Sequence, residues 1–302
     1  MVVINDVGPR DGLQSQAKTL PIEDRISLIR AIAAAGIKNI EVGAFVSPKA
    51  VPAMAGTDQV LASINDLCGV AKTVLIPNQR GYEIAKAAGA KRVAMVLYAT
   101  EGMAMKNVNM SIAQVEAGTQ AIVEQANEDA IDVSAYIATS FGCPFDGDVE
   151  PANVAKLAAN YFSFGVDEVV LADTIGAANP KQVKQTFDPI IKQHGNAKLA
   201  AHFHDTRAMG LANVYSAYEA GVRKFDASIG GLGGCPFAPG ASGNVATEDV
   251  AMMFQQMGVD IELDMPLLLR ASDLAKELTG TAKGGRARPW LDGQFQSSDK
   301  QT

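Results

Sequence analysis

The stretch VVINDVGPRDGLQ, Val2 to Gln14, decides the fold. Residues 2–7 are the apolar, β-branched run of a strand. An open doubly wound sheet usually follows its first strand with a glycine-rich G-x-G-x-x-G turn. Here the strand runs instead into GPRDGLQ, which places Arg10 and Asp11 at its carboxyl end.

Seven more strand candidates follow, at 38–45, 70–76, 92–98, 132–140, 168–174, 199–205 and 224–230. Amphipathic stretches lie between them, such as 23–36 and 151–165, with apolar residues at helical spacing and glycine at the end. Strands alternating with helices imply a parallel sheet covered by helices. Eight units spaced by roughly 30 residues fit an α/β fold of the (β/α)8 TIM-barrel type. Residues 246–258 would close the eighth unit, and 264–280 read as one further helix. The predicted organisation is a barrel over 1–258 and an extension over 259–302, packed on or near it. The polar, glycine-rich tail after residue 280 carries a basic patch and Trp290, and is read either as loosely ordered or as covering an entrance.

The chain has 302 residues, 48% hydrophobic and 20% charged, which is ample for a core. A net charge of −7 argues against a nucleic-acid partner, which calls for a basic face. It leaves room for an anionic small substrate bound by a few local cations. The cysteines Cys68, Cys143 and Cys235 are odd in number and far apart, the usage of a reducing compartment. No secretory pattern or membrane-length apolar run is present, so a cytoplasmic protein without a membrane partner is expected.

In a barrel, chemistry gathers at the carboxyl ends of the strands. The polar residues fall there: Arg10 and Asp11, Glu41, Tyr136 and Thr139, Asp173 and Thr174, and His202, His204 and Asp205. Two of the chain's three histidines stand two apart on one strand, so both imidazoles face the same way. They could be rim residues satisfied by hydrogen bonds, or ligands of one metal ion. Asp11 would complete a two-histidine, one-carboxylate set with open positions. Nitrogen and oxygen donors leave Mg²⁺, Mn²⁺, Co²⁺ and Zn²⁺ all open. Arg10 offers a permanent charge and several donors to a developing enolate oxygen, and Glu41 could fix its guanidinium. The loop GGLGGCPFAPGASGN, 230–244, is long for a strand-to-helix connection and reads as a lid presenting Cys235. Cys143, in FGCPFDG, has a similar setting.

VGPRDGLQSQ, EVGAFVSPK, LADTIG, HFHDTRAMGLAN and GGLGGCPFAPGASGNVATEDV resemble the 3-hydroxy-3-methylglutaryl-CoA lyase family, from about Val3 to Gly258. That family shares its metal-dependent barrel with the isopropylmalate and homocitrate synthases. The resemblance implies metal ligands at Asp11, His202, His204 and Asn244, a catalytic arginine at Arg10 and a lid thiol at Cys235. It implies supporting acids at Glu41 and Asp173, and general-base candidates at Asp11 and His202. The implied cofactor is a divalent cation, Mg²⁺ or Mn²⁺, and the implied partner an acyl-CoA substrate. The implied reaction is retro-Claisen cleavage to acetyl-CoA and acetoacetate. Ala44 replaces a common serine, and Ala50 stands where many members have tryptophan. These departures make citramalyl-CoA, or a longer 3-substituted 3-hydroxyglutaryl-CoA, the competing substrate. An acetyl-CoA/2-oxo acid condensing enzyme is the less favoured reading, because the lid sequence is the lyase's. Barrels of this kind often pair through outer helices, so a homodimer is the expectation by analogy.

Overall fold

Eight parallel strands close into a barrel in which each strand pairs with the next and β1 pairs with β8. This computed structural model describes residues 1–234 and 243–296. The strands are β1 (Val3–Asp6), β2 (Asn39–Ala44), β3 (Ala71–Leu75), β4 (Arg92–Tyr98), β5 (Asp132–Ala138), β6 (Glu168–Asp173), β7 (Leu199–Phe203) and β8 (Lys224–Ala227). All eight sequence-read strands are present. Several stop earlier than their apolar runs because the chain leaves the sheet at the mouth. Beyond β5, Thr139 has φ 59°, and beyond β8, Gly230 has φ 65°; neither value continues a strand.

Helices α1 (Ile22–Ala34), α2 (Thr57–Ser63), α3 (Gln79–Ala87), α4 (Glu101–Val108) and α5 (Ile112–Glu128) wrap the first half of the barrel. The second half is wrapped by α6 (Pro151–Phe164), α7 (Pro180–His194), α8 (Gly210–Ala220) and α9 (Thr247–Gln256). Local chemistry starts them: Asn78 caps α3, Ser111 and Gln114 form a capping box on α5, and Asn179 with Pro180 opens α7. Two more helices follow, α10 (Met265–Thr279), capped by Asp264, and α11 (Arg288–Gln296). The tail therefore adds a helix that its polar, glycine-rich composition did not announce. Helix α10 packs against α1. Among the described residues no helix is long and apolar enough to cross a membrane.

The main core lies between the strands and the helix ring, filled by residues such as Leu28, Ile32, Val42, Val133, Leu171 and Phe187. A second, small apolar layer of Ala94, Tyr136, Val170 and Ala200 fills the barrel lumen. Polar lumen residues flank it, including the Lys224–Glu168 ion pair at 2.7 Å. The small residues leave the mouth end to the charged groups.

Phe254 on α9 is fully buried, with its ring centroid 5.3 Å from that of Tyr218 and 5.4 Å from that of Phe225. Phe254→Ala is expected to cost about 3–5 kcal/mol. Urea unfolding checks this, and a loss below about 1 kcal/mol would deny α9 its place in closing the eighth unit.

Candidate active site

Arg10 and Asp11 stand on a single π turn, Gly8–Gly12, directly after β1. The carbonyl of Val7 accepts from the N–H groups of Arg10, Asp11 and Gly12 at 3.2, 2.8 and 3.2 Å. Such turns are uncommon and often mark functional sites. Sterics fix the sequence here, since a Cβ on Gly12 would lie 2.8 Å from Leu232 Cβ and 3.0 Å from Ser228 Oγ. The turn thus beds against the first residues of the glycine-rich loop and aims both charged side chains at the mouth.

Arg10 is 5% exposed and bridges two carboxylates. Its Nη1 lies 2.8 Å from Asp11 Oδ1 and its Nη2 2.8 Å from Glu41 Oε2. Burial works against the guanidinium's charge, but Glu41 and Asp11 outweigh it and hold the group protonated. Burial pushes the Glu41 carboxyl up to about 7, with the Arg10 charge pulling against it. Burial also opposes ionisation of Asp11, yet Arg10, the two histidines and Asn244 bring it below the ordinary carboxylate range.

His202 and His204 project from the end of β7, ring centroids 5.2 Å apart. Asp11, His202 and His204 each offer one donor atom, and the three donors lie within 4.8 Å of one another. His202 Nδ1 lies 3.0 Å from Asp226 Oδ2, which leaves Nε2 for the shared space. Asp226 is held in turn by Asn5 Nδ2 at 2.8 Å. A carboxylate behind a histidine fixes its tautomer and raises its basicity as a ligand. Burial favours neutral His202, but the hydrogen bond and charge of Asp226, with Asp11, raise its pKa above 6.5. His204 moves the other way, down to about 4, through burial and then the nearby His202.

Asn244 reaches the group because residues 243–245 run beside the end of β7. His204 and Asn244 form an antiparallel bridge, Asp205 N–H donates to Gly243 O at 3.0 Å, and Val245 N–H donates to Phe203 O at 3.0 Å. The Asn244 amide donates to Asp11 Oδ2 at 2.8 Å and to Leu232 O at 3.1 Å. Its Oδ1 and the Nδ1 of His204 are buried without a hydrogen-bond partner among the described residues. Unpaired buried polar atoms are costly. Together with a carboxylate and a backed imidazole, they make a donor set that fits a divalent cation.

The structure brings Arg10, Asp11, Glu41, His202, His204 and Asn244 together. Asp173 ends β6 close enough to feel the His202 charge, while its oxygens accept from Ala177 N–H at 2.7 Å and Ala178 N–H at 3.1 Å in its own loop. Burial raises its pKa to about 6. Cys143 is buried in the turn after β5, its sulfur 3.0 Å from the Thr100 hydroxyl and 3.4 Å from Phe145 N. Cys235 lies outside the described residues. Sequence reasoning missed Asp226, which lies inside the strand read at 224–230. Its signal was an acid at an inward position of β8, level with His202 on the neighbouring strand.

Residues 1–275 match the model of the HMGL-like family. The chain belongs to the HMGL-like family. This HMGL-like chain is 43% identical over 286 residues to the hydroxymethylglutaryl-CoA lyase of Pseudomonas mevalonii, covering 95% of each. It is 39% identical to the (R)-citramalyl-CoA lyase of Chloroflexus aurantiacus, covering 97% of this chain and 94% of that one. A solved HMG-CoA lyase of Acinetobacter baumannii, in complex with coenzyme A and 3-methylmalate, superposes with a TM-score of 0.91. The two are 39% identical, and the match covers 96% and 94% of the chains.

Two outcomes follow for the HMGL-like site. Asp226→Asn should weaken Mn²⁺ binding by about 10–100-fold, the usual loss when a ligand's hydrogen-bond partner is removed. Calorimetric titration of metal-stripped protein reads this, with circular dichroism confirming the fold. Because His202 has a raised pKa, an incoming ion must displace its proton. Mn²⁺ affinity should therefore rise with pH through a midpoint above 6.5 and then level off. An affinity flat from pH 6 to 8 would contradict that assignment.

Proposed function

We propose that this chain is a divalent-metal-dependent carbon–carbon lyase that cleaves 3-hydroxy-3-methylglutaryl-CoA to acetyl-CoA and acetoacetate. The observation that carries the reading is Arg10, a buried permanent cation, set 2.8 Å from the carboxylate of the Asp11–His202–His204 donor group. Near-complete alignment with a hydroxymethylglutaryl-CoA lyase supports the substrate. A family neighbour solved with coenzyme A supports an acyl-CoA partner.

Asp11, His202, His204 and Asn244 would hold the ion, Mg²⁺ or Mn²⁺. When bound, it supplies Lewis-acid polarisation of the substrate's hydroxyl and carboxylate oxygens. The remaining steps belong to the chain. A base takes the proton of the C3 hydroxyl, and Asp11 and His202 are the candidates for it. The C2–C3 bond then breaks: the hydroxyl carbon becomes the ketone of acetoacetate, and its bonding pair passes to C2 as the enolate of acetyl-CoA. Arg10 donates to the enolate oxygen, a charge that develops only during reaction, which is where a preorganised donor counts most. Glu41 holds the guanidinium in place from β2. Cys235 is assigned the return of a proton to C2, giving the methyl group of acetyl-CoA. Residues 1–258 form the catalytic barrel, and the scattered cysteines favour a cytoplasmic setting.

A second substrate is favoured by one observation, the 39% identity to a citramalyl-CoA lyase, taken with alanines at positions 44 and 50. The test is cleavage of HMG-CoA and citramalyl-CoA, in parallel, by metal-stripped protein with Mg²⁺ or Mn²⁺ restored. Acetoacetate should form only with metal. Arg10→Gln should lower kcat by about 10²–10³-fold, the loss typical of an oxyanion donor. Cleavage of citramalyl-CoA alone would replace the substrate and keep the mechanism. No cleavage of either by metal-loaded protein would sink the lyase reading.

A further inference from the structure

Residues 281–287 join α10 to α11 and run along the rim of the barrel, past the end of β8, from the loop after β1 to the loop after β7. At the first end the hydroxyl of Thr281 bonds to the side-chain carbonyl of Gln16. At the other end the backbone is seated on two buried acids at the start of α9. Glu248 Oε1 accepts from Gly285 N–H at 3.1 Å, and Asp249 accepts from Arg286 N–H at 2.7 Å and Ala287 N–H at 3.0 Å. The approach is close enough to require glycine, since a Cβ on Gly285 would lie 2.1 Å from Asp249 Oδ1. Glu248 also accepts from Gly230 N–H at 3.1 Å, so the same acid holds the base of the glycine-rich loop.

From this seat the Arg286 side chain reaches Asp205. Its Nε–H donates to Asp205 Oδ2, and Nη2 donates to the Asp205 carbonyl at 3.3 Å. Asp205 is the residue after His204. Its N–H donates to Gly243 O at 3.0 Å, one residue before Asn244, and its Oδ1 accepts from Gly210 N–H at 2.8 Å at the start of α8. One aspartate therefore ties the end of β7, the segment carrying Asn244 and the first turn of α8 to the C-terminal segment.

We infer that residues 284–287 are an outer buttress of the donor group, and that Arg286 is a positioning residue that fixes His204 and Asn244 through Asp205. The inference rests on the metal reading above. Arg286 is itself exposed, and exposed ion pairs add little to folding stability. Its effect is on the spacing of two donors from different segments, so ion affinity reads it and melting temperature does not.

The experiment is calorimetric titration of metal-stripped, full-length protein with Mn²⁺, alongside thermal melting without metal. Arg286→Ala should raise the Mn²⁺ Kd by about 3–10-fold, less than the ~10–100-fold typical when a direct partner of a ligand is lost. Its metal-free melting temperature should stay near that of the wild type. Gly285→Ala, which lifts the segment off Asp249 while keeping Arg286, should weaken binding similarly, and Arg286→Lys should recover part of the loss. Arg288→Ala is the control. Its guanidinium bonds to Leu269 O, Asp273 and Asp292 on α10 and α11, and the Kd should not change. An Arg286→Ala protein that binds Mn²⁺ like the wild type overturns the inference while leaving the metal site standing. So does an Arg288→Ala protein that loses as much. A wild type that binds no Mn²⁺ overturns the metal reading, and the inference with it.

Discussion

Closure of the sheet between β1 and β8 is the constraint on which the site depends. The register pairs Asn5 with Asp226 and Asp6 with Ala227, joining residues some 221 positions apart. Asn5 then steadies Asp226, Asp226 steadies His202, and the π turn that follows β1 carries Asp11 up to the same histidine. A one-residue slip of β8 would turn Asp226 outward. The buried imidazole would keep its desolvation cost and lose its acceptor. The histidine's orientation is therefore set by strand register inside the lumen, and the loops above inherit it.

The charges are distributed to match. Arg10 is buried with two carboxylates, and burying such groups costs several kcal/mol that their mutual attraction only partly returns. A structure built for stability alone would have little reason to retain it. The gain is a cation that stays charged while its surroundings are dry. Beside it the two imidazoles are driven apart, His202 toward the charged form and His204 toward the neutral one, by burial and by which of them Asp226 touches. Like groups in unlike environments are how pKa values within one site are pushed apart.

Much of this was legible in the sequence, and for physical reasons. Strand periodicity is two, so His202 and His204 had to share a side. Parallel strands alternating with amphipathic helices left few architectures other than a barrel, and barrel mouths collect polar residues. Arg10, Asp11 and Glu41 were readable on that basis. Asn244 was not, because its place depends on residues 243–245 lying along the end of β7, a pairing with no local pattern. It entered through family resemblance. Asp226 was hidden because a lone acid in an apolar strand does not say which partner it meets. Asp173 looked equivalent to the others at a strand end; its loop curls back to give it two backbone N–H donors, and the charge of His202 still reaches it. The helix α11 was obscured by the glycines before it, which serve the crossing over α9.

The donors of the candidate site come from both ends of the chain: Asp11 lies 233 positions from Asn244. An ion held by such a set acts as a staple on the whole fold, because it binds the closed barrel and finds no comparable cluster in the unfolded chain. Stability then depends on supply. Free ion at 100 times its Kd would add about 2.7 kcal/mol by mass action. In a cell that is enough to change the fraction of molecules open to proteases by roughly a hundredfold. The quantity of this protein, and not merely its rate, would follow the availability of the metal.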